Sequence, residues 1–425
     1  MTLQEKDKKY IWHPFTPLQG EEEPLLITSA EGVYLHTADG RKIIDAISSW
    51  WVNIHGHSNQ FIAQAIADQA RKLEHVIFAG FTHEPAITLA ENLLSILPKN
   101  QSKIFFSDNG STAVEVGLKM AIQYWHNQGI KNKNRIVAFE GAYHGDTFGS
   151  MSVGARNSFA TAFDPYLFKV DFIEFPMEDN SNQVIDDFKR LLKKGDVGTF
   201  IFEPLVQGAA GMRIYSPQIL DELIILAHEN DVVCIADEVF TGFGRTGKVF
   251  ASDYLKNKPD IIAMSKGITG GALPMGVTSC SENIIAAFNS ADSSKTFLHG
   301  HSYTANPLSC AAANASFQLL TKKECLDNIH RISIAHEKFK KKNEHHPAVN
   351  GVKTLGTILS IELRTKEKTS YTNPLRKKIY SHFIDKGILL RPLGNVLYLL
   401  PPYVINDQEL QSIYSELDLF LLSLD

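Results

Sequence analysis

Short apolar runs alternate with helix-like stretches through the middle of this chain, and this alternation is the feature that most constrains its fold. The runs have the length of strands and few polar residues, which is typical of strands buried on both faces. They read KIFFS, RIVAF, GTFIFEP, DVVCIADE and DIIAMS, and the stretches FIAQAIADQARKL and PAITLAENLLSIL before them carry apolar residues at helical spacing. Such alternation predicts an α/β fold with a mainly parallel central sheet covered by helices on both faces. Its ligand site is expected beyond the carboxyl ends of the strands.

The two ends of the chain carry a different pattern. Residues 31–47 alternate polar and apolar side chains around Asp39-Gly40, which is typical of a β-hairpin. After about residue 320 a lysine-rich helical stretch is followed by the alternating segments GTILSIELR, GILLRP and NVLYLLPPYV. We therefore predict a large domain over residues 49–321 and a smaller α+β domain that residues 1–48 and 322–425 form together.

Composition limits the classes of protein that fit this chain of 425 residues. It has 42 Lys plus Arg against 47 Asp plus Glu, and a net charge of −5 argues against nucleic acid or an anionic membrane as the main partner. Its four cysteines are too few and too far apart for a disulfide framework or a Cys-x-x-Cys metal site. No run approaches the ~20 apolar residues of a membrane helix, and the charged start does not resemble a secretory signal. We expect a cytoplasmic protein without a metal.

Two nucleotide-binding motifs fit the segment TGFGRTGK only in part. Gly242, Gly244 and Gly247 match G-x-G-x-x-G, and Gly242 to Lys248 match most of a P-loop. A P-loop needs Ser or Thr after its lysine, where this chain has Val249. A dinucleotide site needs a helix that opens at the third glycine and an acidic strand end ~20 residues later, and the sequence indicates neither. A glycine-rich loop after a buried strand is the better interpretation.

Asp237 and Lys266 each stand where an apolar run ends. The Asp237 carboxylate would lie at the floor of the site, where a charge is costly unless it is paired, either with backbone amides or with a buried cation. Desolvation at Lys266 would favour a neutral amine, which can form a Schiff base with an aldehyde. A single lysine at a strand end is usually a surface residue, but the two residues together favour a reactive site.

Two further segments supply complementary groups. KIFFS leads through SDNGST into a helical pattern, so the amides of Gly110 and Ser111 and the Ser111 hydroxyl could hold a phosphate, and Thr112 and Glu115 have the spacing of a capping box. Helix capping without a ligand is the alternative. Tyr143, on the loop after RIVAF, could stack on a planar ring or could only pack. A phosphate cradle, a reactive lysine, a pairing carboxylate and a stacking ring are together what pyridoxal 5′-phosphate requires.

The motifs of this chain resemble those of class III aminotransferases, which are pyridoxal phosphate enzymes of fold type I, over essentially its whole length. NGSTAVE, GAYHGDTFG, FEPLVQGAAG, IADEVFTGFGRTGK, MSKGITGG and HGHSYTANPL occur in the order and approximate spacing of that family. The resemblance implies a transaminase with pyridoxal phosphate as its cofactor. It also implies a homodimer with each active site at the subunit interface.

The same resemblance implies roles for the site residues. Lys266 would bind the cofactor covalently and move the proton between substrate and cofactor, Asp237 would pair with the pyridinium nitrogen, and Tyr143 would stack on the ring. Gly110 and Ser111 would hold the phosphate. Gly300, His301 and Ser302 would come from the partner subunit, with His301 and Ser302 at the cofactor.

Several segments, YIWHPFT, SSWWVNIHGH, AIQYW and RPLGNVLYLLPPY, resemble one branch of the class. That branch transfers the amino group of S-adenosylmethionine to 8-amino-7-oxononanoate in biotin biosynthesis. Arg391 would clamp a substrate carboxylate by a bidentate pair, and aromatic faces suit the sulfonium cation. The implied substrate-binding residues are Phe15, Trp50, Trp51, Tyr143, Lys266, Gly300 and Arg391.

Departures from the family pattern keep alternatives open. Phe15 stands where a tyrosine is frequent, and some relatives with HPFT and HGHSYT segments use lysine as the donor, so the same acceptor with lysine is one alternative. His301-Ser302 replaces a frequent Pro-Thr pair but keeps a hydroxyl for the phosphate. An ω-amino acid, ornithine or 4-aminobutyrate aminotransferase is a second alternative. A non-enzymatic cofactor-binding regulator is a third, and the acidic balance without a DNA-binding module argues against it.

Overall fold

The computed structural model describes residues 1–20, 23–156, 159–367, 369–370 and 373–424. The helices are α1 (Leu3–Tyr10), α2 (Ser48–Trp51), α3 (Gln60–Lys72), α4 (Glu84–Ile96), α5 (Gly110–Asn127), α6 (Phe148–Ser152), α7 (Ser181–Leu192), α8 (Pro217–Glu229), α9 (Glu282–Ala286), α10 (Pro307–Leu320), α11 (Lys323–Asn343), α12 (Leu375–Asp385) and α13 (Asp407–Leu422), with 3₁₀ turns at Asp164–Tyr166, Ala251–Tyr254, Lys266–Thr269 and Ser293–Lys295. The strands are β1 (Ile27–Glu31), β2 (Tyr34–Thr37), β3 (Lys42–Asp45), β4 (Gln101–Ser107), β5 (Arg135–Phe139), β6 (Asp171–Ile173), β7 (Val197–Phe202), β8 (Val206–Gln207), β9 (Arg213–Ile214), β10 (Val233–Asp237), β11 (Ile261–Met264), β12 (Gly276–Ser281), β13 (Val349–Leu355), β14 (Ile358–Leu363), β15 (Ile388–Leu389) and β16 (Val396–Leu399). Within the described ranges, every helix is too short or too polar to cross a membrane.

A seven-stranded sheet forms the centre of the molecule, in the order β4-β12-β11-β10-β7-β5-β6. Strands β6, β5, β7, β10 and β11 pair in parallel, whereas β12 runs antiparallel to both β11 and β4. All residues of β7, β10, β11 and β12 are buried, as expected for a sheet covered on both faces. The predicted α/β fold with a mainly parallel sheet is confirmed, and each of the five apolar runs contains a strand of it.

Helix α5 leads from β4 across the sheet and begins at Gly110. Its N-cap is Asn109, whose side chain accepts the Thr112 N–H (3.0 Å) while the Thr112 hydroxyl accepts the Asn109 N–H (3.1 Å). The predicted capping box of Thr112 with Glu115 is therefore wrong, because the cap lies three residues earlier. The Glu115 carboxylate instead accepts the N–H groups of Gly149 and Ser150 in α6, which ties the two helices together.

The two ends of the chain meet in a second sheet, in the order β1-β2-β3-β15. The predicted hairpin is present, since β2 pairs antiparallel with β3 around Gly40, whose φ of +84° suits the turn. Strand β15 joins this hairpin in parallel, with Ile388 opposite Ile44. Strands β13, β14 and β16 form a separate antiparallel sheet. The division into domains at residues 48/49 and 321/322 stays a prediction.

Candidate active site

A cavity of about 850 Å³ opens where the parallel strands of the central sheet end. Its position matches the expectation for an α/β sheet, because the loops after β4, β5, β10 and β11 all contribute to its wall. The predicted site residues that line it are Phe15, Trp50, Trp51, Gly110, Ser111, Tyr143, Asp237, Lys266 and Arg391. Gly300, His301 and Ser302 lie outside the lining that the described part of one chain provides.

Lys266 follows β11 after one residue, Ser265, and begins a 3₁₀ turn with a positive φ of 48°, a strained conformation for a residue with a side chain. Its ammonium lies 4.9 Å from the centroid of the Trp51 ring and 5.9 Å from that of Phe240. Burial lowers the lysine pKa to about 8, against the opposing effect of the negative Asp237 and Glu203. A large fraction of the amine is therefore neutral in mildly alkaline solution, as a nucleophile requires.

The lowered pKa predicts how the cofactor-free protein takes up pyridoxal phosphate. Only the neutral amine attacks an aldehyde, so the rate should rise by roughly tenfold per pH unit below the pKa and level off above it. We expect the plateau to begin near pH 8. Stopped-flow absorbance of the cofactor measures this rate. A rate that keeps rising to pH 10 would show that Lys266 titrates like an exposed lysine.

Asp237 ends β10 and is almost fully buried. Its Oδ1 accepts the Val239 N–H at 3.0 Å, and its Oδ2 lies 2.7 Å from His144 Nδ1. An ionised carboxylate only accepts hydrogen bonds, so Nδ1 carries the proton of this pair. Both of the partners considered from the sequence are thus present, a backbone amide and a group that can be cationic. His144 Nε2 is buried with no hydrogen-bond partner among the described residues.

The start of α5 faces the same cavity. Gly110 and Ser111 are the first two residues of the helix, so their N–H groups have no partner within it. The Ser111 hydroxyl accepts the Asp146 N–H at 3.2 Å, which holds the loop after β5 against the helix. Gly145 in that loop has a φ of +123°, and a Cβ on it would lie 2.0 Å from the Ser111 hydroxyl. The loop can approach the helix start only with glycine at this position.

Glu203 adds a second buried carboxylate beside Asp237. One of its oxygens accepts the Tyr143 N–H at 3.0 Å and the other the Gly208 N–H at 3.1 Å. Burial raises the Glu203 pKa to about 7, with His144 opposing the shift and the charge of Asp237 adding to it. Burial also raises the pKa of the Tyr143 hydroxyl, which therefore stays protonated. Glu203 fixes the backbone of the residue predicted to stack on the cofactor.

Aromatic side chains and the Arg391 guanidinium line another part of the cavity, the aromatic wall. The Trp50 and Phe15 rings pack edge to face, with centroids 5.6 Å apart, and Phe159 lies 5.9 Å beyond Phe15. The Arg391 guanidinium lies 4.5 Å from the centroid of the Trp50 ring. Trp50 is 39% exposed and Phe15 is 45% exposed, so both rings are open to a ligand.

Several polar residues near the site were not predicted. Glu203 could have been predicted as a site residue, since it follows the apolar run GTFIF in the same way as Asp237 follows VVCIA. His144 lies in a loop and Arg213 in the two-residue strand β9, and the contacts that bring them to the cavity are with residues far along the chain. Arg245 is buried behind the wall, where it donates to the backbone oxygens of Pro401 (3.1 Å) and Trp51 (3.3 Å).

The groups in the cavity fit pyridoxal phosphate. A lysine amine with a lowered pKa suits the aldehyde, the Asp237 carboxylate suits a protonated ring nitrogen, the start of α5 suits the phosphate, and Tyr143 suits the ring face. All four groups line one cavity at the carboxyl ends of the strands. The fold and this cavity together define a pyridoxal phosphate enzyme of fold type I.

Comparison with known proteins gives the family. The family model described as aminotransferase class-III matches residues 17–421. The chain therefore belongs to the class III aminotransferases, and pyridoxal phosphate is its cofactor. An adenosylmethionine-8-amino-7-oxononanoate aminotransferase from Synechococcus elongatus is 48% identical over 96% of this chain and 97% of its own length. A protein of the same name from Geobacter sulfurreducens is 37% identical over 98% of this chain and 96% of its own length.

Solved structures agree with this assignment. The adenosylmethionine-8-amino-7-oxononanoate aminotransferase of Methanocaldococcus jannaschii superposes with a TM-score of 0.92 at 37% identity, covering 98% of this chain and 97% of that one. An amine transaminase from an uncultivated Pseudomonas species, in its pyridoxal phosphate-bound form, gives a TM-score of 0.90 at 27% identity and covers 96% and 97% of the two chains. The predicted class of enzyme is confirmed, and the alternative of a non-enzymatic regulator loses its support.

Proposed function

We propose that this protein transfers the amino group of S-adenosylmethionine to 8-amino-7-oxononanoate, giving 7,8-diaminononanoate for biotin biosynthesis. The observation that carries the proposal is the 48% identity over nearly the whole chain to a relative with that name. The cavity supports it, because the residues that the sequence implied for these two substrates, apart from Gly300, line this one cavity. The donor binds first, leaves its amino group on the enzyme and departs before the acceptor binds.

The residues of the chain divide the work of this reaction. Bound pyridoxal phosphate supplies an electron-withdrawing ring that stabilises negative charge at the reacting carbon. Lys266 Nζ would take the proton from the substrate carbon that bears the amino group. It would then donate a proton to the carbon of the cofactor that carried the aldehyde. Asp237 holds the proton on the ring nitrogen, Tyr143 orients the ring, and Gly110 with Ser111 holds the phosphate.

The aromatic wall supports both substrates. S-adenosylmethionine carries a sulfonium cation, and the open faces of Phe15 and Trp50 can contact it without a hydroxyl group. Arg391 would bind the carboxylate that each substrate carries, since its planar group makes two parallel hydrogen bonds. Its contact with the Trp50 ring holds the guanidinium in place for that bond.

A donor screen on the purified holoenzyme tests this proposal. S-adenosylmethionine alone should remove the absorption band of the bound cofactor, and 8-amino-7-oxononanoate should restore it with formation of 7,8-diaminononanoate. Expression should also rescue a biotin auxotroph that lacks this enzyme. Loss of the band with lysine and not with S-adenosylmethionine would overturn the assignment of S-adenosylmethionine as the amino donor. Activity only with ornithine, 4-aminobutyrate or another ω-amino acid would overturn the assignment of both the donor and the acceptor.

We also propose a homodimer in which Gly300, His301 and Ser302 complete the partner's cavity. Leu298 and Tyr303, on either side of this segment, are 82% and 64% exposed, which leaves apolar surface for a second copy to cover. Sedimentation should give twice the 47.4 kDa mass of one chain. A monomer with full activity would contradict the dimer. A cytoplasmic location stays a prediction from the sequence.

A further inference from the structure

The segment that carries Trp50 and Trp51 has an unusual backbone. Ser48, Ser49 and Trp51 have φ values of 53°, 61° and 69°, in the left-handed region that residues with side chains rarely occupy. Helical geometry is interrupted at Ser49 and Trp50, so α2 is a bend and not a regular turn. Such a conformation persists only where the surrounding structure imposes it. Some group must therefore hold this bend.

Asp45 is the group that holds the first half of the bend at Ser48–Trp51. The carboxylate is completely buried at the end of β3. One oxygen accepts the Ile47 N–H at 3.2 Å, and the other accepts both the Ser49 N–H at 2.6 Å and the Ser49 hydroxyl at 3.0 Å. These bonds close the backbone around the carboxylate and direct the chain into the bend, so that the residue after Ser49, Trp50, faces the cavity.

His57 supplies a further hydrogen-bond donor to this buried carboxylate. Its Nε2 lies 2.8 Å from Asp45 Oδ2. The Asn53 side-chain amide lies 3.1 Å from His57 Nδ1 and donates to it, which leaves the proton on Nε2 for Asp45. The His57 backbone is itself fixed, because it exchanges two hydrogen bonds with Gly32 at 2.7 and 3.2 Å. This isolated antiparallel bridge between Gly32 and His57 thus holds the imidazole against the carboxylate.

We propose that Asp45 and His57 are positioning residues that set substrate affinity by holding the Trp50 ring against Arg391. The proposal rests on the proposed function, in which Trp50 and Arg391 contact the substrates. Asp237 ends β10 and Lys266 lies in the 3₁₀ turn after β11, and the Trp51 ring beside Lys266 is held separately by its bond to the Tyr398 hydroxyl at 2.9 Å. Loosening the bend at Ser49 and Trp50 therefore changes the substrate wall and leaves the proton-transfer groups in place. The expected effect is on KM and not on kcat.

The test compares Asp45→Asn with Asp260→Asn in the holoenzyme. Asp260 forms a similar pair, with His228 Nε2 3.2 Å away and the Cys234 N–H as a further donor, but at the opposite ends of β10 and β11 from the cavity. Asp45→Asn should raise KM for 8-amino-7-oxononanoate at least tenfold, with kcat changed less than threefold. Asp260→Asn should leave KM unchanged. Equal KM values in the two variants would overturn the proposal.

A milder pair of variants covers the case in which Asp45→Asn does not fold. His57→Leu removes the donor to Asp45, whereas His57→Gln keeps an N–H donor, so KM should rise with leucine and return toward the wild-type value with glutamine. Acrylamide quenching of tryptophan fluorescence gives a readout that needs no turnover. It should increase in His57→Leu and not in a His228→Leu control. Unchanged quenching and KM in His57→Leu would overturn the proposal, even if the wild type used different substrates.

Discussion

Replacing Lys266 by alanine is expected to lower kcat for amino-group transfer by at least about 10⁴-fold, because one side chain supplies both the nucleophile and the proton carrier. Two of the side chains beside it are the Trp51 and Phe240 rings, which cannot replace an amine as nucleophile or proton carrier. Turnover with S-adenosylmethionine and 8-amino-7-oxononanoate, measured at pH 8 with saturating pyridoxal phosphate, checks this expectation.

A stability measurement separates the chemical effect of this substitution from unfolding. The buried amine is costly to keep charged, as its lowered pKa indicates, so its removal should not lower the melting temperature by more than a few degrees. Lys248→Ala is the matched control, because Lys248 is exposed in the nearby glycine-rich loop and donates to the Asp253 backbone oxygen at 3.2 Å. If Lys266→Ala kept more than a hundredth of wild-type activity, the lysine would not be the proton carrier.

Replacing Asp237 by asparagine should lower kcat by roughly 10³-fold, which corresponds to about 4 kcal/mol of lost transition-state stabilisation. Asparagine has the same shape and can keep the hydrogen bond from the Val239 N–H. It has no negative charge to hold a proton on the ring nitrogen of the cofactor, and a neutral ring stabilises carbanion charge less well. The measurements are kcat and the pH dependence of the absorption band of the bound cofactor.

Glu238→Gln is the control for this second substitution. Glu238 is the next residue, is also buried, and accepts hydrogen bonds from the Thr241 hydroxyl (2.5 Å) and the Ser252 N–H (2.7 Å). Its neutralisation should cost about 1–3 kcal/mol of stability and leave kcat of the folded enzyme nearly unchanged. Equal losses of kcat in both variants would mean that the charge of Asp237 has no special role.

Local patterns made much of this fold predictable from the sequence. The five apolar runs and the Asp39-Gly40 hairpin depend on neighbours within a few residues, and each appears where it was predicted. Strand β12 was not predicted because it carries hydroxyl residues in a fully buried position. Thr278 donates to the Ala113 backbone oxygen at 2.7 Å and Ser279 to the Gln101 side chain at 2.7 Å, and neither partner is visible in the local sequence.

The site was predictable to a similar extent, and for a similar reason. Lys266 and Asp237 stand at the ends of apolar runs, so their position follows from local patterns. His144 could not be found in this way, because its role depends on a contact with Asp237 across 93 residues of sequence. The hydrogen bonds from Ser49 to Asp45 could not be predicted either, since the positive φ of Ser49 is not reflected in composition or periodicity.

The meeting of the two chain ends has a consequence for the order of folding. The Ser48 hydroxyl donates to the Leu400 backbone oxygen across 352 residues, and the Trp51 indole donates to the Tyr398 hydroxyl across 347. Contacts of such high sequence separation form late, and a domain emerging from the ribosome can close them only after almost all of its residues are available. A nascent chain that has already built the central sheet around Lys266 therefore still lacks a finished substrate wall. That wall can close only after the residues near position 400 that bond to Ser48 and Trp51 have been made.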